Sequence, residues 1–458
     1  MYDTIIIGAG MSGLAAGIRL AYFDQRVCIL ERHNTIGGLN SFYRMRGRDY
    51  DVGLHALTNI TPKGAKKGPL ARLLRQLRLS WDDLQISPQI GSDIVFPGVR
   101  LRFSNDLDLL RAEVAREFPA EQDHFERLVS EIVEYDDLDE SYANWSARER
   151  VAEIIADPLL VEMLFCPLMF YGSAREHDMD WGQFSIMFRS IFLEGLGRPY
   201  AGVRLILKHL VRKFRALGGE LKLRAGVERL AVEEGRVAGV VLEGGEALEG
   251  RRVLSSAGWS ETMRLCDDGA PVVGRGSGRL SFCETIAALD VQPQELGHDR
   301  TITFFNDSEQ FAWQRPDEPC DVRSGVICSP NNFDYGQLLD EGTMRITALA
   351  NYDYWNRLDE PTYRLEKLRW YERITASAVR FVPDYRSHVI DTDMFTPTTI
   401  VRYTGHENGA VYGAPEKQFD GRTHLENLFI CGTDQGFVGI IGSIVSGISM
   451  ANQHCLRD

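Results

Sequence analysis

Short apolar runs that precede helical patterns stand at both ends of the chain. Thr4–Ile7 is a β-branched run typical of a buried strand, and Leu14–Ala21, directly behind it, predicts a helix. A second strand is predicted over Arg26–Leu30. At the other end, Leu428–Asp434 predicts a buried strand and Gly442–Cys455 a helix. Together the two ends predict a parallel sheet with helices packed on it.

The middle of the chain divides into a helical part and two groups of short strands. Helices are predicted where apolar residues recur at helical spacing, over 107–118, 120–134, 146–155, 158–169, 202–217 and 361–381. Four strands between glycine turns should form a sheet layer on the first sheet, over 220–223, 227–233, 236–242 and 249–255. Further extended segments predict an antiparallel sheet, over 283–291, 301–305, 325–329 and 343–350.

Three glycines follow the first strand at the spacing G-x-G-x-x-G. Gly8, Gly10 and Gly13 lead into the first helix, and the second strand ends at Glu31. This order is the dinucleotide fingerprint: the glycines allow a tight turn and close approach of backbone to a pyrophosphate, and the acid binds ribose hydroxyls. The sequence therefore predicts a dinucleotide site, with the helix N-terminus facing the phosphates.

A second glycine-rich loop follows the last strand. Gly432, Gly436, Gly439 and Gly442 lead from that strand into the last helix. Backbone can approach a ligand here too, and a helix N-terminus can face it. Two such loops at opposite ends of the chain indicate one extended dinucleotide held from both sides. The sequence has no further motif of this kind for a nicotinamide nucleotide.

Composition limits the class of protein and its partners. The net charge of −14 argues against nucleic acid as a partner. The eight cysteines are scattered, which predicts reduced thiols and no metal site. No apolar run is long enough to span a bilayer, and a leader peptide is not expected before a strand that starts at residue 4. We therefore expect a cytoplasmic protein that does not cross a membrane.

One segment resembles a known family. Glu31 is followed by Gly37, Gly38 and Leu39, and an acid followed by Gly-Gly at this distance resembles the flavin amine oxidase and phytoene desaturase superfamily. The segments 50–55, 219–227, 396–413 and 428–434 resemble it as well. Amine oxidases usually have arginine after Gly-Gly, whereas this chain has Leu39. The resemblance is therefore closest to the carotenoid isomerase and all-trans-retinol saturase branch.

The resemblance implies an FAD cofactor and an α/β fold. A Rossmann-like FAD-binding domain of the glutathione reductase type, with a parallel sheet, would comprise residues 1–85, 200–270 and 395–458. A discontinuous substrate domain of mixed antiparallel sheet and helices would comprise 86–199 and 271–394. The implied cofactor-binding residues are Gly8, Gly10, Met11, Ser12, Gly13, Glu31, Arg32, Gly37, Gly38, Leu39, Asn40, Gly53, Leu54, His55, Val227, Gly432, Asp434, Gly439, Ile440 and Ile441.

Three functions are compatible with the resemblance. The first is an FAD-dependent oxidoreductase that acts on carbon–carbon bonds of a long apolar polyisoprenoid, similar to a carotenoid or retinoid, by hydride transfer at flavin N5. Desaturation, saturation and isomerisation all stay open. The second is a flavin amine oxidase, which Leu39 disfavours. The third is a non-catalytic prenyl carrier of the GDP-dissociation-inhibitor type, against which the intact glycines at both ends argue.

His55 is the catalytic candidate. The segment 50–55 would pass the flavin ring, and imidazole titrates near neutral pH without a large shift of its pKa. A histidine that only hydrogen-bonds backbone under the flavin is the alternative. Arg402 and Tyr403 would lie on the substrate side. Asp434 would bind the ribityl or phosphate region of FAD, or would cap the last helix.

Three segments allow a functional or a structural interpretation. The Met- and Phe-rich segments 159–171 and 184–192 suit an apolar substrate tunnel or an ordinary helical core. In the basic segment 63–78, leucines at 70, 73, 74 and 77 predict one helical face, with Arg72, Arg75 and Arg78 turned away from it. This segment predicts a peripheral contact with the inner face of an anionic membrane, or a helix that packs its leucines on its own domain.

Overall fold

The computed structural model describes residues 1–53, 55–136, 145–269 and 276–456. In chain order the strands are β1 (Tyr2–Ile7), β2 (Val27–Glu31), β3 (Phe42–Met45), β4 (Arg48–Asp51), β5 (Ile86–Pro88), β6 (Ser92–Phe96), β7 (Val99–Phe103), β8 (Gly197–Pro199), β9 (Glu220–Leu223), β10 (Val227–Glu233), β11 (Arg236–Leu242), β12 (Ala247–Leu248), β13 (Gly250–Ser255), β14 (Ser281–Leu289), β15 (Ile302–Asn306), β16 (Ser324–Cys328), β17 (Gly342–Ala350), β18 (Val389–Phe395) and β19 (Leu428–Ile430). The α-helices are α1 (Met11–Ala21), α2 (Pro69–Leu77), α3 (Trp81–Leu84), α4 (Leu107–Glu117), α5 (Gln122–Glu134), α6 (Ala147–Ala152), α7 (Pro158–Gly172), α8 (Trp181–Phe188), α9 (Val203–Ala216), α10 (Trp259–Leu265), α11 (Tyr352–Asn356), α12 (Glu360–Ala378), α13 (Pro397–Thr404) and α14 (Gly439–Met450).

β1 stands at the centre of a five-stranded parallel sheet with the order β19–β13–β1–β2–β9. Successive side chains of a strand point to opposite faces, so β1 separates two cores. Ile6 packs with α1, α9 and α14, whereas Ile5 and Ile7 pack with β10, β11 and α10. Helices therefore cover one face of the sheet and a small antiparallel sheet covers the other, which confirms the predicted α/β fold.

Two strands that were expected in the small sheet belong to the parallel sheet. β9 pairs with β2 and β13 pairs with β1, so the antiparallel layer comprises β10, β11 and β12. The connection explains the position of β9, because a crossover through a helix such as α9 gives a parallel strand. The turn after α9 needs glycine at position 219, because a Cβ there would lie 2.1 Å from a ring carbon of Phe214.

A seven-stranded sheet with the order β18–β14–β17–β16–β15–β6–β7 forms the second unit. Its strands pair antiparallel except for β15 and β6, which run parallel. The hairpin of β6 and β7 was not predicted, because Asp93, Arg100 and Arg102 interrupt its apolar pattern. Asp93 is buried between Arg100 and Arg300, which supply its counter-charges. The helices α4–α8 pack on one face of this sheet and α12 packs on the other.

The Met- and Phe-rich segments form α7, α8 and a π-helical turn over Arg189–Leu193. Most of their apolar side chains are buried in one core with the seven-stranded sheet. Phe170, Tyr171 and Met187 also reach the large cavity described below. These segments are therefore mainly core, with a small part exposed to the cavity.

The basic segment contains α2, whose apolar face packs inside the protein. The four leucines of that face are buried in the core shared with α1, α9 and α14. Arg72 and Arg75 are exposed, and the Arg78 guanidinium lies 4.4 Å from the ring centre of Tyr22. The apolar face is thus used by the fold itself. Within the described ranges, no helix is both long and apolar enough to cross a membrane.

Candidate active site

One cavity of about 1050 Å³ runs between the two large sheets. Its walls come from the edge of the parallel sheet where β1 and β2 end, and from the loops that follow β2, β4 and β19. β14, β16 and β17 close it from the side of the seven-stranded sheet. Residues from both ends of the chain and from its middle therefore meet in one space.

The turn after β1 brings bare backbone to this cavity. Gly8 has a φ of +95°, and no atom lies within 4 Å of the position that a Cβ on Gly10 would take. Gly13 does not line the cavity, and a Cβ on it would lie 2.1 Å from the Gly8 carbonyl oxygen. Gly10 thus leaves room for a ligand, and Gly13 lets α1 pack on the turn. Met11 and Ser12, at the N-terminus of α1, line the cavity as well.

Two loops meet this turn from opposite ends of the chain. Gly37 pairs with Gly10 in an isolated parallel bridge. Gly432 faces the first turn of α1, where a Cβ on it would lie 3.1 Å from the Ser12 hydroxyl. Both loops line the cavity, through Gly37, Gly38, Leu39, Asn40, Gly432, Gly439 and Ile440. A ligand beside Gly10 would therefore be contacted from both sides.

Glu31 marks one end of the cavity. Its carboxylate accepts hydrogen bonds from the backbone N–H groups of Ala9 and His33, both at 2.9 Å. Ala225 and Val227 line the wall beside it. The dinucleotide fingerprint places a ribose at such an acid. We call the part of the cavity that is lined by Glu31, His33, Ala225 and Val227 the nucleotide end.

Arg402 and Tyr403 lie at the nucleotide end rather than beside His55. The Tyr403 ring centre is 5.0 Å from that of His33. The Arg32 guanidinium donates to the carbonyl oxygens of Val401 and Arg402, both at 3.2 Å. These contacts fix the last turn of α13 over this part of the cavity. The substrate-side position of Arg402 and Tyr403 stays a prediction, and the structure places both residues beside Arg32 and His33.

Asp434 and Ile441 do not line the cavity. The Asp434 carboxylate accepts hydrogen bonds from the backbone N–H groups of Trp259 at 2.6 Å and Ala414 at 2.7 Å. Through these bonds Asp434 connects its own loop to the loops that contain Trp259 and Ala414. Ile441 is buried in the core with α1. Both residues support the cavity wall from outside.

The loop after β4 carries Gly53 and His55 to the opposite end of the cavity, and Leu54 lies outside the described residues. Nε2 of His55 shares a hydrogen bond with Oγ1 of Thr347 at 2.9 Å. The same nitrogen lies 3.8 Å from Oε2 of Glu284. His55 thus contacts side chains of the second sheet.

Burial, together with the charges of Arg345 and Arg198, lowers the pKa of His55 to about 3. The imidazole is therefore neutral at pH 7 and does not serve as a proton donor there. The expectation of titration near neutral pH was wrong for this reason. The sequence around residue 55 does not show that its loop is covered by a sheet that carries two arginines.

Glu284, which lines the same end of the cavity, was not predicted from the sequence. Its residue exposure is 2%, and it stands directly opposite Thr347 in the ladder of β14 and β17. Burial raises the pKa of Glu284, and the charge of its ion-pair partner Arg345 opposes that shift. An acid within the apolar run after Cys283 was the available signal, since a buried carboxylate needs a partner.

The remaining lining at this end is apolar. The rings of Phe170, Phe282 and Tyr412 follow one another, with centres 6.2 and 5.9 Å apart. We call this part the apolar lobe and define it by Ala56, Phe170, Tyr171, Met187, Phe282, Val326, Tyr412 and Val438. An apolar pocket with a few polar groups is typical of a small-molecule site.

The cavity fits a dinucleotide cofactor along its length. Glu31 and Val227 suit the nucleoside, and the open Cβ positions of Gly10 and Gly439 leave room for a diphosphate at the N-terminus of α1. The far half of the cofactor would then reach His55 and the apolar lobe. In the described part of the chain, no three His, Cys, Asp or Glu side chains are grouped to hold a metal ion.

Known proteins are similar to this chain in sequence or in fold. Prolycopene isomerase 2 from an Oncidium hybrid cultivar is 23% identical over 287 residues, which are 56% of this chain and 48% of that protein. This chain therefore spans about half the length of that curated relative. All-trans-retinol 13,14-reductase from Danio rerio is 22% identical, over 98% of this chain and 85% of that protein. Cyclohexylamine oxidase from Brevibacterium oxydans IH-35A has the same fold, with a TM-score of 0.66 at 15% identity over 99% of this chain and 98% of that one.

The family match covers α1 and three strands of the parallel sheet, β2, β9 and β13. Residues 11–268, more than half of the chain, match the family described as flavin containing amine oxidoreductase. The match begins at the first residue of α1 and includes Glu31, His55 and Val227. A family of oxidoreductases favours an enzyme over the prenyl carrier. The chain thus belongs to the flavin containing amine oxidoreductase family.

Proposed function

We propose that the protein uses FAD to oxidise, reduce or isomerise carbon–carbon bonds of a long apolar polyisoprenoid similar to a carotenoid or retinoid. The observation that carries this proposal is the continuity of the cavity, in which the part lined by Gly8, Gly10, Gly37 and Gly432 opens into the apolar lobe. FAD suits this space better than FMN, because only FAD has an adenosine that can reach Glu31 and Val227. Its isoalloxazine would then lie beside His55.

Charge at the apolar lobe favours a neutral substrate over an amine. An ammonium group needs a carboxylate that can pair with it. Glu284, the acid beside the lobe, already pairs with Arg345. The adjacent carboxylate of Asp51 is 2.6 Å from Arg198. A hydrocarbon needs no such partner and gains from leaving water for the lobe.

The relatives support this substrate class. The isomerase and the reductase carry prolycopene and retinol in their names. Identities of 23% and 22% support the class of molecule and leave the direction of the reaction to experiment. The cyclohexylamine oxidase shares the fold, and an amine oxidase is accordingly the second candidate.

The chain itself would bind, orient and exclude water. When bound, a flavin supplies hydride transfer at N5. The glycine loops would hold its diphosphate, and the apolar lobe would hold the substrate and keep water away from the reacting carbons. His55 is neutral, and its bond to Thr347 fixes the orientation of its ring.

The test is anaerobic mixing of the FAD-loaded protein with a panel of polyisoprenoids, retinoids and amines, followed by flavin absorbance. A desaturase would bleach its oxidised flavin with a more saturated polyisoprenoid, and a saturase would reoxidise its reduced flavin with a polyene. A flavin that is bleached by amines and by no polyisoprenoid would contradict the proposal and favour the second candidate.

We also propose a peripheral contact with anionic membranes through the segment 63–78. Because the leucines of α2 are buried, this contact would be electrostatic and would use the exposed side chains Lys66, Lys67, Arg72 and Arg75. Lys63 is paired with Asp82 at 2.5 Å and contributes less. Each basic residue near an anionic surface is worth about 1 kcal/mol. An apolar substrate dissolved in lipid would be taken up most readily at such a surface.

A further inference from the structure

Glu284 is a buried acid of the cavity lining beside the apolar lobe, and the sheet fixes its surroundings. Glu284 on β14 and Thr347 on β17 are direct partners in an antiparallel ladder, so their side chains share a face. Arg345 lies two residues from Thr347 along β17 and points to that face too. His55 approaches from the loop after β4. Four polar groups from three chain segments thus converge beside the cavity.

Hydrogen bonds and an ion pair connect these groups. Oγ1 of Thr347 shares a hydrogen bond with Nε2 of His55 at 2.9 Å and also bonds the Glu284 carboxyl group. Arg345 pairs with Oε1 of Glu284. Oε2 of Glu284 lies 3.8 Å from Nε2 of His55. One carboxyl oxygen is therefore held by the arginine, and the other faces His55 at the edge of the lobe.

The charged groups that face Glu284 are themselves paired, including Asp393 on β18, which lies 3.6 Å from Lys367 on α12. Burial raises the pKa of Glu284, and Arg345 on β17 and Arg198 on β8 oppose that shift. Asp51 on β4 is the counter-charge of Arg198. Other titratable groups face the cluster from β3, from β16 and from the loop after β4, and their pKa values keep them neutral at pH 7: Tyr43, Cys328 and His55.

We propose that Glu284 exchanges a proton with the substrate and that Thr347 and His55 position its carboxyl group, an inference that rests on the proposed function. In the desaturating direction, one C–H bond gives up hydride to the flavin. The neighbouring C–H bond leaves its electron pair in the new double bond, and its proton bonds to Oε2 of Glu284. Saturation reverses the same bonds, and the carboxyl group then gives up its proton.

The other groups at the lobe are poorer proton carriers. Burial raises the pKa values of the Tyr171 and Tyr412 hydroxyls and raises that of the Cys328 thiol to about 11. His55 stays neutral because its pKa is about 3. For Glu284, burial raises the pKa and the charge of Arg345 opposes that shift, so its environment favours both uptake and release of a proton.

The titration of Glu284 can be measured without substrate. Infrared difference spectra between wild type and Glu284→Gln should show a carboxyl C=O band that titrates at a higher pH than an ordinary glutamate, because the carboxyl group is buried. Thr347→Val should move the titration to still higher pH, since it removes a hydrogen bond that favours the charged form. If Glu284→Gln does not fold, infrared difference spectra between wild type and Thr347→Val give the same carboxyl C=O band.

Asp93→Asn is the matched control. Asp93 is another buried carboxylate on the same sheet, paired with Arg100, and it does not line the cavity. In single-turnover flavin reduction or reoxidation with a polyisoprenoid, Glu284→Gln should be slower by about 10²–10⁴-fold, whereas Asp93→Asn should match wild type. An unchanged rate in Glu284→Gln, or a titration that Thr347→Val does not move, would overturn the assignment.

The two experiments separate two kinds of failure. If no polyisoprenoid reacts with the wild-type protein, the proposed function fails and proton exchange with the substrate fails with it. The infrared titration still decides whether Glu284 carries a proton near neutral pH. If polyisoprenoids react and Glu284→Gln turns over normally, the proposed function stands and the role of Glu284 is refuted.

Discussion

Replacement of Gly10 by valine tests the proposed diphosphate site directly, because a side chain at this position would fill open space without straining the backbone. Gly10 has φ −74° and ψ −178°, an extended conformation that valine adopts readily. No atom lies within 4 Å of its Cβ position. The new side chain would therefore project into the cavity where the diphosphate of FAD is proposed to lie, and the surrounding backbone would stay in place.

The expected effect of Gly10→Val on the free energy of unfolding differs between apoprotein and holoprotein. Gly10 is the N-cap of α1, and a β-branched residue there costs about 1 kcal/mol. Replacing glycine also lowers the entropy of the unfolded chain, which stabilises the folded protein by about 0.4–1 kcal/mol. The free energy of unfolding of the apoprotein should thus change by less than about 1 kcal/mol. In wild type, FAD at about 100 times its Kd adds about 2.7 kcal/mol, and this gain should vanish in the variant.

The assay is thermal unfolding with and without excess FAD, together with the flavin absorbance of the purified protein. Gly276→Val is the matched control, because Gly276 also has open space at its Cβ and a φ outside the left-handed region but lies away from the cavity. It should keep the FAD-dependent rise in Tm. Gly13→Ala should instead lower the Tm of the apoprotein, since its Cβ would overlap the Gly8 carbonyl oxygen. A Gly10→Val protein that folds and retains stoichiometric FAD would refute the placement.

Further predictions concern charge. The pKa of His55 is about 3 in the folded protein against 6.5 for a free side chain, so the unfolded chain binds the extra proton and stability falls as pH drops from about 6.5 toward 3. His55→Gln should weaken this loss in urea unfolding at a series of pH values, and equal pH profiles would contradict the burial of the ring. Arg72→Glu combined with Arg75→Glu should reduce co-sedimentation with anionic vesicles, and equal sedimentation would exclude the contact. Asp51→Asn should lower the free energy of unfolding by about 3–5 kcal/mol, because it removes the buried counter-charge of Arg198; a loss below about 1 kcal/mol in urea unfolding would show that the pair is unimportant for stability.

The dinucleotide-binding part of the fold was predictable because its signals are local. The turn at Gly8 and Gly10 lies between a strand and a helix that follow each other in sequence, and Glu31 ends the next strand. The position of β9 was not predictable from such signals. Its neighbour β2 is distant in sequence, and the local pattern of a short strand is the same in either sheet.

The chemistry at the far end of the cavity depends on long-range packing. His55, Glu284 and Arg345 come from three separate segments, and Arg345 acts on the pKa of both His55 and Glu284. A window of sequence around His55 indicates only an ordinary imidazole. The same holds for Tyr403, whose position beside His33 follows from the path of α13 over the nucleotide end. His55 and Tyr403 were therefore recognisable as candidates from the sequence, whereas the protonation state of His55, the position of Tyr403 and the part played by Glu284 were not.

The buried ion pair of Glu284 and Arg345 beside the apolar lobe indicates chemistry rather than stability. Burying a pair such as Glu284 with Arg345 carries a desolvation cost that well-packed apolar side chains of similar volume avoid, and such replacements are often neutral or stabilising. A site that only held a hydrocarbon would be served as well by leucine or phenylalanine, which already form the adjacent wall. Moving a proton to or from carbon requires a group that can change its charge, and the paired arginine lets a buried carboxyl group do so. We therefore expect that replacing both members of this pair by apolar residues preserves folding and flavin binding and abolishes turnover, whereas a purely structural pair would leave turnover intact.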